Sequence, residues 1–512
     1  MLVRPAWIAP LILSLGWLAV PSAEAAPQSG GGGIRRKAPK APAASPARKD
    51  PSQLRDTLRA IVQKRSPVEW TVGVVVQDAD GKVLAALSAD APLSPASNQK
   101  ILVVGAALGL LGPGFQYETQ LLARCQASKG EIQDLVVRGD GDPNISGRFH
   151  NNDPTAIFKD WARLLKAAGL TRITGDLVVD DSRFDAARLP AGWKASQAGR
   201  PYSAEIGALN LNDNCIDITT RPGRIGEPAL VELRPATAYV SIENQCTTAA
   251  GKGEPIFERK LGTNTIQVRK AISPQRKQFS DVLTVQDPGL YFGTVLHEVL
   301  RAEGIAIGGS VVRAKAAERI GASPVVLHTH AGPLLQDLAV INKPSNNLHA
   351  DVLLKALGFR TEGLGSAANG AKAIETFLKR EGISSEGLHV EDGSGLAAGD
   401  RVSASTLSGV LSWIQRQSFA RQYIESLPVA GTDGTLKKRF HGRKSANHVF
   451  AKTGYINGVS ALSGYVERGG KMWVFSVIVN GMRKGKNRSA DISGARSLQE
   501  EVAEEVFLSM PD

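Results

Sequence analysis

The chain has 512 residues, of which 42% are hydrophobic, and its formal net charge at pH 7 is +12. At a prior of roughly 100–200 residues per domain, this length argues against a single domain and favours two to four, with enough apolar side chains to bury a large core. No stretch after the N-terminal segment is long and apolar enough to span a bilayer.

Residues 1–25 have the three parts of a secretory signal peptide: a basic group at Arg4, an apolar run over residues 6–20, and small residues before a cleavage site after Ala25. Pro10 interrupts the apolar run, which is also shorter than the roughly 20 residues of a membrane span. A retained membrane anchor is therefore the weaker alternative. The pattern predicts a secreted protein with no transmembrane anchor after signal cleavage.

Residues 26–50 combine Gly, Pro, Ala and charged residues with almost no bulky apolar side chain, which predicts a disordered basic linker. A basic linker either contacts an anionic lipid or polymer or serves as a solvated tether, and the tether is the favoured interpretation. Export argues against nucleic acid as a partner.

The cysteines and histidines do not predict a metal site. Cys125, Cys215 and Cys246 cannot all pair within one chain, and none has CxxC or metal-type spacing. Cys215 and Cys246 form either one disulfide with a short loop or two buried free thiols. His328 and His330 have no third ligand at a recognised spacing, so they are interpreted as structural.

The segment after the linker predicts a helix, a strand pair and a second helix. Apolar residues recur at helical spacing in residues 52–63, and apolar runs at 71–76 and 83–87 flank an Asp-Ala-Asp-Gly-Lys turn. Ser97 then begins an apolar helix, and Lys100 lies one turn along on the same face.

The middle of the chain differs in character from its two ends. From about residue 117 to 324, short β-rich runs predict inserted domains, interrupted by a helix at 154–168. The last third predicts helices at 333–340, 347–357, 371–380 and about 490–508, and antiparallel strands at 448–455, 461–467 and 472–480. We therefore expect one sheet built from both termini, with the insert looping out.

Three motifs carry the chemistry, and their order and placement make the set stronger than its parts: Ser97-x-x-Lys100, Ser345-Asn346-Asn347 and Lys452-Thr453-Gly454. A serine hydroxyl is a poor nucleophile until a base takes its proton. A lysine is such a base only if burial or a second positive charge lowers its pKa. Lys100, with Lys452 brought alongside, offers both, so Ser97 is the predicted nucleophile.

The position of Ser97 also predicts half of an oxyanion hole. The N–H of a residue at a helix N-terminus points out of the helix, where the dipole favours negative charge. The N–H of Tyr455, which follows the Lys-Thr-Gly run on the strand, would be the second donor. Loss of one such donor costs about 3–4 kcal/mol of transition-state stabilisation.

The three motifs, with this order and long spacing, resemble the low-molecular-mass class C penicillin-binding proteins, which are D-alanyl-D-alanine carboxypeptidases and endopeptidases. The resemblance runs from about residue 52 to the C-terminus, because further stretches are similar to family blocks: residues 139–143, 174–180, 391–396 and 427–436. Residues 101–344 separate Lys100 from Ser345, and the family has a large insert at this place.

The resemblance implies an α/β (α+β) fold: a penicillin-binding transpeptidase/β-lactamase-like domain of antiparallel sheet flanked by helices, with large β-rich inserted domains. The implied boundaries are 51–116 and 322–512 for the peptidase domain, 117–142 and 212–321 for an inserted β-rich domain, and 143–211 for a second domain nested inside it. The implied location is secreted and periplasmic.

By the same resemblance, Ser97 is acylated by the penultimate D-Ala of a peptidoglycan stem peptide, with Lys100 as the base. Ser345 relays a proton to the leaving amine, and Asn347 holds the substrate amide. Lys452 acts with the substrate-binding residues at the terminal carboxylate. The family's covalent inhibitors are β-lactams, and no cofactor or metal is implied.

The implied substrate-binding residues are Thr453, Gly454 and Tyr455. The family more often has Ser or Thr where this chain has Tyr455. Because the oxyanion hole needs only the backbone N–H of this residue, we expect activity to survive and the preference among substrates and β-lactams to change.

Two alternatives remain open. A β-lactamase needs rapid deacylation, in one class by a glutamate, yet the similar stretch at residues 205–210 has the wrong spacing and precedes the Ser-Asn-Asn motif. A non-catalytic wall-binding protein would keep the fold as a scaffold. Residues 392–396 are interpreted as a tight turn at the edge of the cleft. The balance between carboxypeptidase and endopeptidase action stays open.

Overall fold

In the computed structural model, the described residues are 53–124, 126–251, 253–314, 324–483 and 488–511. The predicted signal peptide at 1–25, the predicted linker at 26–50 and Cys125 lie outside these residues. Among the helices of the described ranges, none has both the length and the apolar composition that a membrane span requires.

The helices of the described ranges are α1 (Leu54–Arg65), α2 (Gln99–Leu110), α3 (Ala156–Ala167), α4 (Pro288–Ala302), α5 (Leu334–Asn342), α6 (Asn347–Glu362), α7 (Ala367–Arg380), α8 (Ala404–Gln415), α9 (Ala420–Ser426) and α10 (Arg488–Ser509). The strands near the two ends of the chain are β1 (Thr71–Gln77), β2 (Val83–Leu87), β19 (Val449–Ile456), β20 (Val459–Arg468) and β21 (Lys471–Asn480).

The strands of the middle region are β3 (Gln116–Ala123), β4 (Glu131–Ile132), β5 (Leu135–Gly139), β6 (Arg172–Ile173), β7 (Leu177–Asp180), β8 (Cys215–Arg221), β9 (Leu230–Arg234), β10 (Ser241–Asn244), β11 (Thr247–Thr248), β12 (Ile256–Arg259), β13 (Thr265–Arg269), β14 (Ala271–Ile272), β15 (Phe279–Thr284), β16 (Ala306–Ile307), β17 (Val311–Arg313) and β18 (Val325–Pro333).

Strands from both ends of the chain form one five-stranded antiparallel sheet in the order β19-β20-β21-β1-β2. The register of β1 on β21 runs from Thr71 opposite Asn480 to Gln77 opposite Val474. The predicted sheet built from both termini is therefore confirmed, as is the α+β fold class.

This central sheet is covered on both faces because side chains alternate along each strand. On β1, Val74 and Val76 pack into a cluster with α1 and α10, whereas Val75 packs into a cluster with α2 and α8. Since both faces are covered, β20 and β21 are buried along most of their length. The sheet thus gives β19 a rigid support.

The middle region has sheets and a core of its own. Strands β17-β7-β5-β3-β18 form a five-stranded sheet, and a hydrophobic cluster from Leu121 to Ile305 packs α3 and α4 against the strands. In it the rings of Phe158 and Phe292 meet edge to face with centroids 4.7 Å apart. Cys215 and Cys246 are buried free thiols, so the disulfide alternative is not realised.

The sequence prediction missed three helices, α4, α8 and α9, although two of them begin with recognisable caps. The Asp287 side chain accepts a hydrogen bond from Leu290 N at 3.1 Å, with Pro288 at the first helical position. Ser403 caps α8 in the same way. The helix α4 was missed because the sequence around it predicts mainly strands.

The predicted domain boundaries, including the nested domain at 143–211, remain a prediction. Inside that range, β7 pairs with β5 and β17, which lie on either side of it. The helix α3 likewise packs into the cluster that contains both flanks.

Candidate active site

Ser97 lies in a 3-10 turn, Ala96–Asn98, that continues directly into α2. Ala96 has a φ of +46°, a left-handed value that a residue with a side chain rarely adopts. Ser97 is partly exposed, whereas its neighbours on both sides are buried. The turn therefore exposes the Ser97 hydroxyl at the N-terminal end of a helix that is otherwise largely buried.

Two glycines let other segments approach this turn closely. A Cβ on Gly454 of β19 would lie 2.6 Å from Pro95 O, and a Cβ on Gly395 would lie 1.8 Å from Ala96 O. Real Cβ atoms do not come so near a carbonyl, so only glycine fits at both positions. The third residue of Lys-Thr-Gly is thus explained by the packing of β19 on the turn that carries Ser97.

Lys100 is fully buried, and three oxygen atoms surround its amine. Its Nζ lies 3.0 Å from Ser97 Oγ, 2.8 Å from Asn347 Oδ1 and 2.8 Å from Ser394 O. Burial lowers the pKa of Lys100 to about 8. A lysine with this pKa exchanges its proton close to neutral pH, which suits a general base for the neighbouring hydroxyl.

Two buried aspartates, Asp351 and Asp392, oppose the effect of burial on the pKa of Lys100, and a third buried aspartate, Asp400, lies near them. Burial, together with the charge of Asp392, raises the pKa of Asp400 to about 10, so Asp400 holds a proton at neutral pH. Asp392 accepts a hydrogen bond from Gly395 N at 2.5 Å. The aspartates thus tune the lysine and hold the segment that contacts it.

The Ser-Asn-Asn motif lies at the start of α6. Asn346 caps this helix by accepting a hydrogen bond from His349 N at 3.3 Å, and Ser345 has a left-handed φ of +64°. Asn347 is the first helical residue. Its amide oxygen accepts the hydrogen bond from Lys100, so the cap fixes the amide beside the base.

The Lys-Thr-Gly motif lies on the edge strand β19. Lys452 Nζ donates to Ser345 Oγ at 2.7 Å and to Thr453 O at 3.0 Å. Burial, with the charge of Lys100, lowers the pKa of Lys452 well below its ordinary value. Thr453 Oγ1 donates to Thr435 Oγ1 at 2.7 Å, which orients the threonine hydroxyl.

The backbone N–H groups of Ser97 and Tyr455 are the donors predicted for an oxyanion hole. The first backbone hydrogen bond of the turn that carries Ser97 is donated by the next residue, Asn98, to Pro95 O. Alternate residues of a strand direct their N–H groups to the same side, so the N–H of Tyr455 points in the same direction as that of Ala451 on β19. The N–H of Ala451 points away from β20 and donates to Pro428 O at 3.0 Å. The N–H groups of Ser97 and Tyr455 therefore point away from the ladders and turns of their own elements.

The structure brings the three predicted motifs into one cluster, through the contacts Lys100–Ser97, Lys100–Asn347 and Lys452–Ser345. The sequence did not identify the role of residues 392–396, interpreted as a turn at the cleft edge. Their Ser394 carbonyl contacts Lys100 directly. The family block at 391–396 was the available signal.

A buried histidine, also missed in the sequence, joins the Ser-Asn-Asn motif to the insert. His349 Nδ1 lies 2.5 Å from Asp337 Oδ1, and His349 Nε2 lies 3.0 Å from Asp213 Oδ1. Burial disfavours the imidazolium, but the two carboxylates outweigh burial and raise the pKa of His349 to about 9. Asp213 also accepts a hydrogen bond from Asn346 Nδ2 at 3.0 Å.

Comparison with known proteins identifies the family. Residues 54–500 match the D-Ala-D-Ala carboxypeptidase 3 (S13) family. The D-alanyl-D-alanine carboxypeptidase of Actinomadura sp. is 34% identical over 459 residues, which cover 86% of this chain and 84% of that protein. The crystal structure of penicillin binding protein 4 (dacB) from Haemophilus influenzae matches with a TM-score of 0.72 and 25% identity, over 87% of this chain and 99% of that chain.

A second crystal structure of the Haemophilus protein, complexed with a novel β-lactam, matches with a TM-score of 0.68 and 26% identity, over 87% of this chain and 99% of that chain. The family match extends across the middle region as well as the central sheet. The chain therefore belongs to the D-Ala-D-Ala carboxypeptidase 3 (S13) family and is a serine-type carboxypeptidase, a hydrolase.

Proposed function

We propose that this peptidase cleaves the D-Ala-D-Ala bond of peptidoglycan stem peptides through an acyl-enzyme on Ser97. The observation that carries the proposal is the 3.0 Å contact of Lys100 Nζ with Ser97 Oγ, inside a cluster that also contains Ser345, Asn347 and Lys452. A nucleophile in contact with a base of lowered pKa is the arrangement that acyl transfer requires.

In the acylation step, Ser97 Oγ attacks the carbonyl carbon of the penultimate D-Ala while Lys100 takes the hydroxyl proton. With a pKa of about 8, roughly one lysine in ten is neutral one pH unit below that value. The oxyanion that forms accepts hydrogen bonds from the N–H groups of Ser97 and Tyr455.

Collapse of the tetrahedral intermediate breaks the C–N bond and releases the terminal D-Ala. Its amine receives a proton through Ser345, whose hydroxyl is oriented by Lys452 at 2.7 Å. Thr453, with Lys452, faces the terminal carboxylate, and Asn347 holds the substrate amide. The leaving group therefore departs along the strand that carries Lys-Thr-Gly.

Hydrolysis of the ester completes the cycle. A water molecule attacks the acyl carbon, gives its proton to the base, and Ser97 regains a proton as the Oγ–C bond breaks. When the leaving amine belongs to a second stem peptide instead of free D-Ala, the same steps open a cross-link. Carboxypeptidase and endopeptidase action thus share one acyl-enzyme.

A β-lactam carries a strained amide that Ser97 attacks in the same way, and we propose penicillins as covalent inhibitors. The β-lactam complex of the Haemophilus relative supports this. We place the mature enzyme outside the cytoplasm, in the periplasm, as the signal pattern of residues 1–25 indicates. No cofactor is required by these steps.

The proposal is tested by mass spectrometry of the intact protein after incubation with benzylpenicillin, with Ser97→Ala as control, followed by digestion of a stem pentapeptide and a cross-linked muropeptide dimer. We expect a stable adduct on Ser97, none on the variant, and release of D-Ala. Rapid loss of the adduct with hydrolysed drug would indicate a β-lactamase. Absence of any adduct and of any digestion would indicate a non-catalytic wall-binding protein.

A further inference from the structure

A cavity of about 340 Å³ opens beside Ser97, between the end of β19 and α10. Nine described residues line it, of which six carry hydroxyl groups and two, Arg439 and Arg496, are arginines. None of these nine is acidic. Because Ser345 and Thr453 also line it, the cavity lies on the side where the leaving group of the substrate departs.

Hydrogen bonds fix α10 against this cavity. Tyr455 of β19 lies opposite Ser460 of β20, and Gln499 Nε2 donates to Ser460 Oγ at 3.0 Å. Arg496 is three residues before Gln499, so its side chain lies on the same face of the helix. The carbonyl of Arg496 accepts a hydrogen bond from Arg439 Nη2 at 3.1 Å, which fixes this turn of α10 a second time.

The two arginines differ in their partners. Arg439 Nε donates to Glu500 Oε1 at 2.8 Å, and the side chain of Arg439 is only 10% exposed, so Glu500 neutralises its charge. Arg496 is exposed, and within the described part of the chain it forms no ion pair with a carboxylate. Its guanidinium therefore presents uncompensated charge to the cavity, and such a group stays protonated at every working pH.

The substrate needs such a cation at this place. The bond to be cleaved is followed by a residue with a free carboxylate, which has to be desolvated near Ser97. Burial and the charge of Lys100 lower the pKa of Lys452 well below its ordinary value, which weakens Lys452 as a cation for this carboxylate. A guanidinium matches a carboxylate with two parallel hydrogen bonds.

We propose that Arg496 binds the carboxylate of the leaving residue and makes the enzyme selective for substrates that carry a negative charge just beyond the scissile bond. This inference rests on the proposed function and adds the specificity residue to it. Arg496 is a binding residue that acts on the leaving group, and it takes no part in proton transfer at Ser97.

The test uses two thioester substrates with the same N-acyl-D-alanyl group, one with mercaptoacetate and one with ethanethiol as the leaving group. Only the first has a carboxylate beyond the scissile bond, and both are reactive enough to be measured. We expect Arg496→Gln to lower kcat/KM for the mercaptoacetate ester by about 10- to 100-fold, mainly through KM, and to change the ethyl ester by less than about twofold.

Arg496→Lys, which keeps the charge without the planar fork, is expected to fall between wild type and Arg496→Gln. The matched control is Arg224→Gln in the insert, whose side chain is 88% exposed, and which is expected to match wild type on both esters. Circular dichroism checks that α10 is intact in each variant.

Equal losses on both esters, or no loss on either, would overturn the role of Arg496 while leaving the proposed function standing, provided that benzylpenicillin still labels Ser97. If wild type neither hydrolyses the esters nor forms the penicillin adduct, the proposed function fails and the inference fails with it. The adduct therefore separates the two cases.

Discussion

The two lysines beside Ser97, the proposed nucleophile, share the same degree of burial but have different neighbours. Lys100 and Lys452 are both fully buried. Asp351 and Asp392 act on Lys100 and hold its pKa at about 8 against the effect of burial. The neighbour that acts on the charge of Lys452 is Lys100, and this lowers the pKa of Lys452 further.

This difference in neighbours gives the two lysines different roles in the proposed mechanism. Burial lowers the pKa of both lysines, so the aspartates decide which one exchanges a proton near neutral pH. In the proposed mechanism, Lys100 takes and returns the proton of Ser97, whereas Lys452, with its lowered pKa, donates the hydrogen bond that orients Ser345. The aspartates therefore assign the roles, although they do not contact the substrate themselves.

The largest expected effect is the loss of acylation rate when each lysine is replaced by methionine. Lys100→Met should lower the acylation rate constant with benzylpenicillin roughly 10³-fold, because it removes the general base, and Lys452→Met roughly 10²-fold, because it removes only the orienting donor. Stopped-flow or quenched-flow mass spectrometry measures both. Equal losses, or a larger loss for Lys452→Met, would contradict the division of roles.

A control for the lysine variants is their stability. A buried lysine with a lowered pKa gives up its proton on folding, which costs stability wherever the unfolded chain is protonated, namely below its ordinary pKa. Lys452→Met removes this cost, so its Tm at pH 7 should not fall below that of wild type. A large fall in Tm would show that the loss of activity reflects misfolding.

The next largest effect tests how closely β19, which carries Lys452, packs on the turn that carries Ser97. Gly454→Ala places a Cβ 2.6 Å from Pro95 O, so β19 or the turn must move, and a displacement of about 1 Å at a reacting centre costs roughly 10²-fold in rate. Gly114→Ala is the control, since its Cβ would meet no atom within 4 Å. An unchanged kcat/KM in Gly454→Ala would contradict the close-packing account.

The sequence predicted the central sheet and the three motifs because their signals are local. Each of these signals lies within a single strand or helix turn: the apolar runs of β1, β20 and β21, and the Ser97-x-x-Lys100 spacing. The role of Ser394 was missed because its contribution is a backbone carbonyl, which any residue type provides. The His349 pair with Asp213 was missed for another reason, since residues so distant in the chain meet only when the chain has folded.

A smaller effect tests the link from the insert to the Ser-Asn-Asn motif. The folded pKa of His349, about 9, lies above its unfolded value of about 6.5, so its stabilisation is complete below pH 6.5 and disappears as pH rises through 9. His349→Gln should reduce kcat/KM about tenfold by loosening the α6 cap. Its free energy of unfolding should differ most from wild type at pH 6 and least above pH 9.

Unfolding by urea at pH 6, 7.5 and 9.5 measures this difference. The matched control is His150→Gln, because the backbone hydrogen bonds of His150 stay within residues 147–153. A stability difference between wild type and His349→Gln that does not shrink as pH rises would contradict a charged His349.

The most direct test of the central claim is the pH dependence of the acylation rate constant in wild type and in Asp351→Asn, where the isosteric amide still accepts the 2.6 Å hydrogen bond from Gly393 N. We expect the rate constant to rise with pH to a midpoint near 8 in wild type, because neutral Lys100 is the base, and to have a lower midpoint in the variant, because Asp351 opposes the lowering of the Lys100 pKa by burial. A flat profile between pH 6 and 9, or the same midpoint in both proteins, would contradict it.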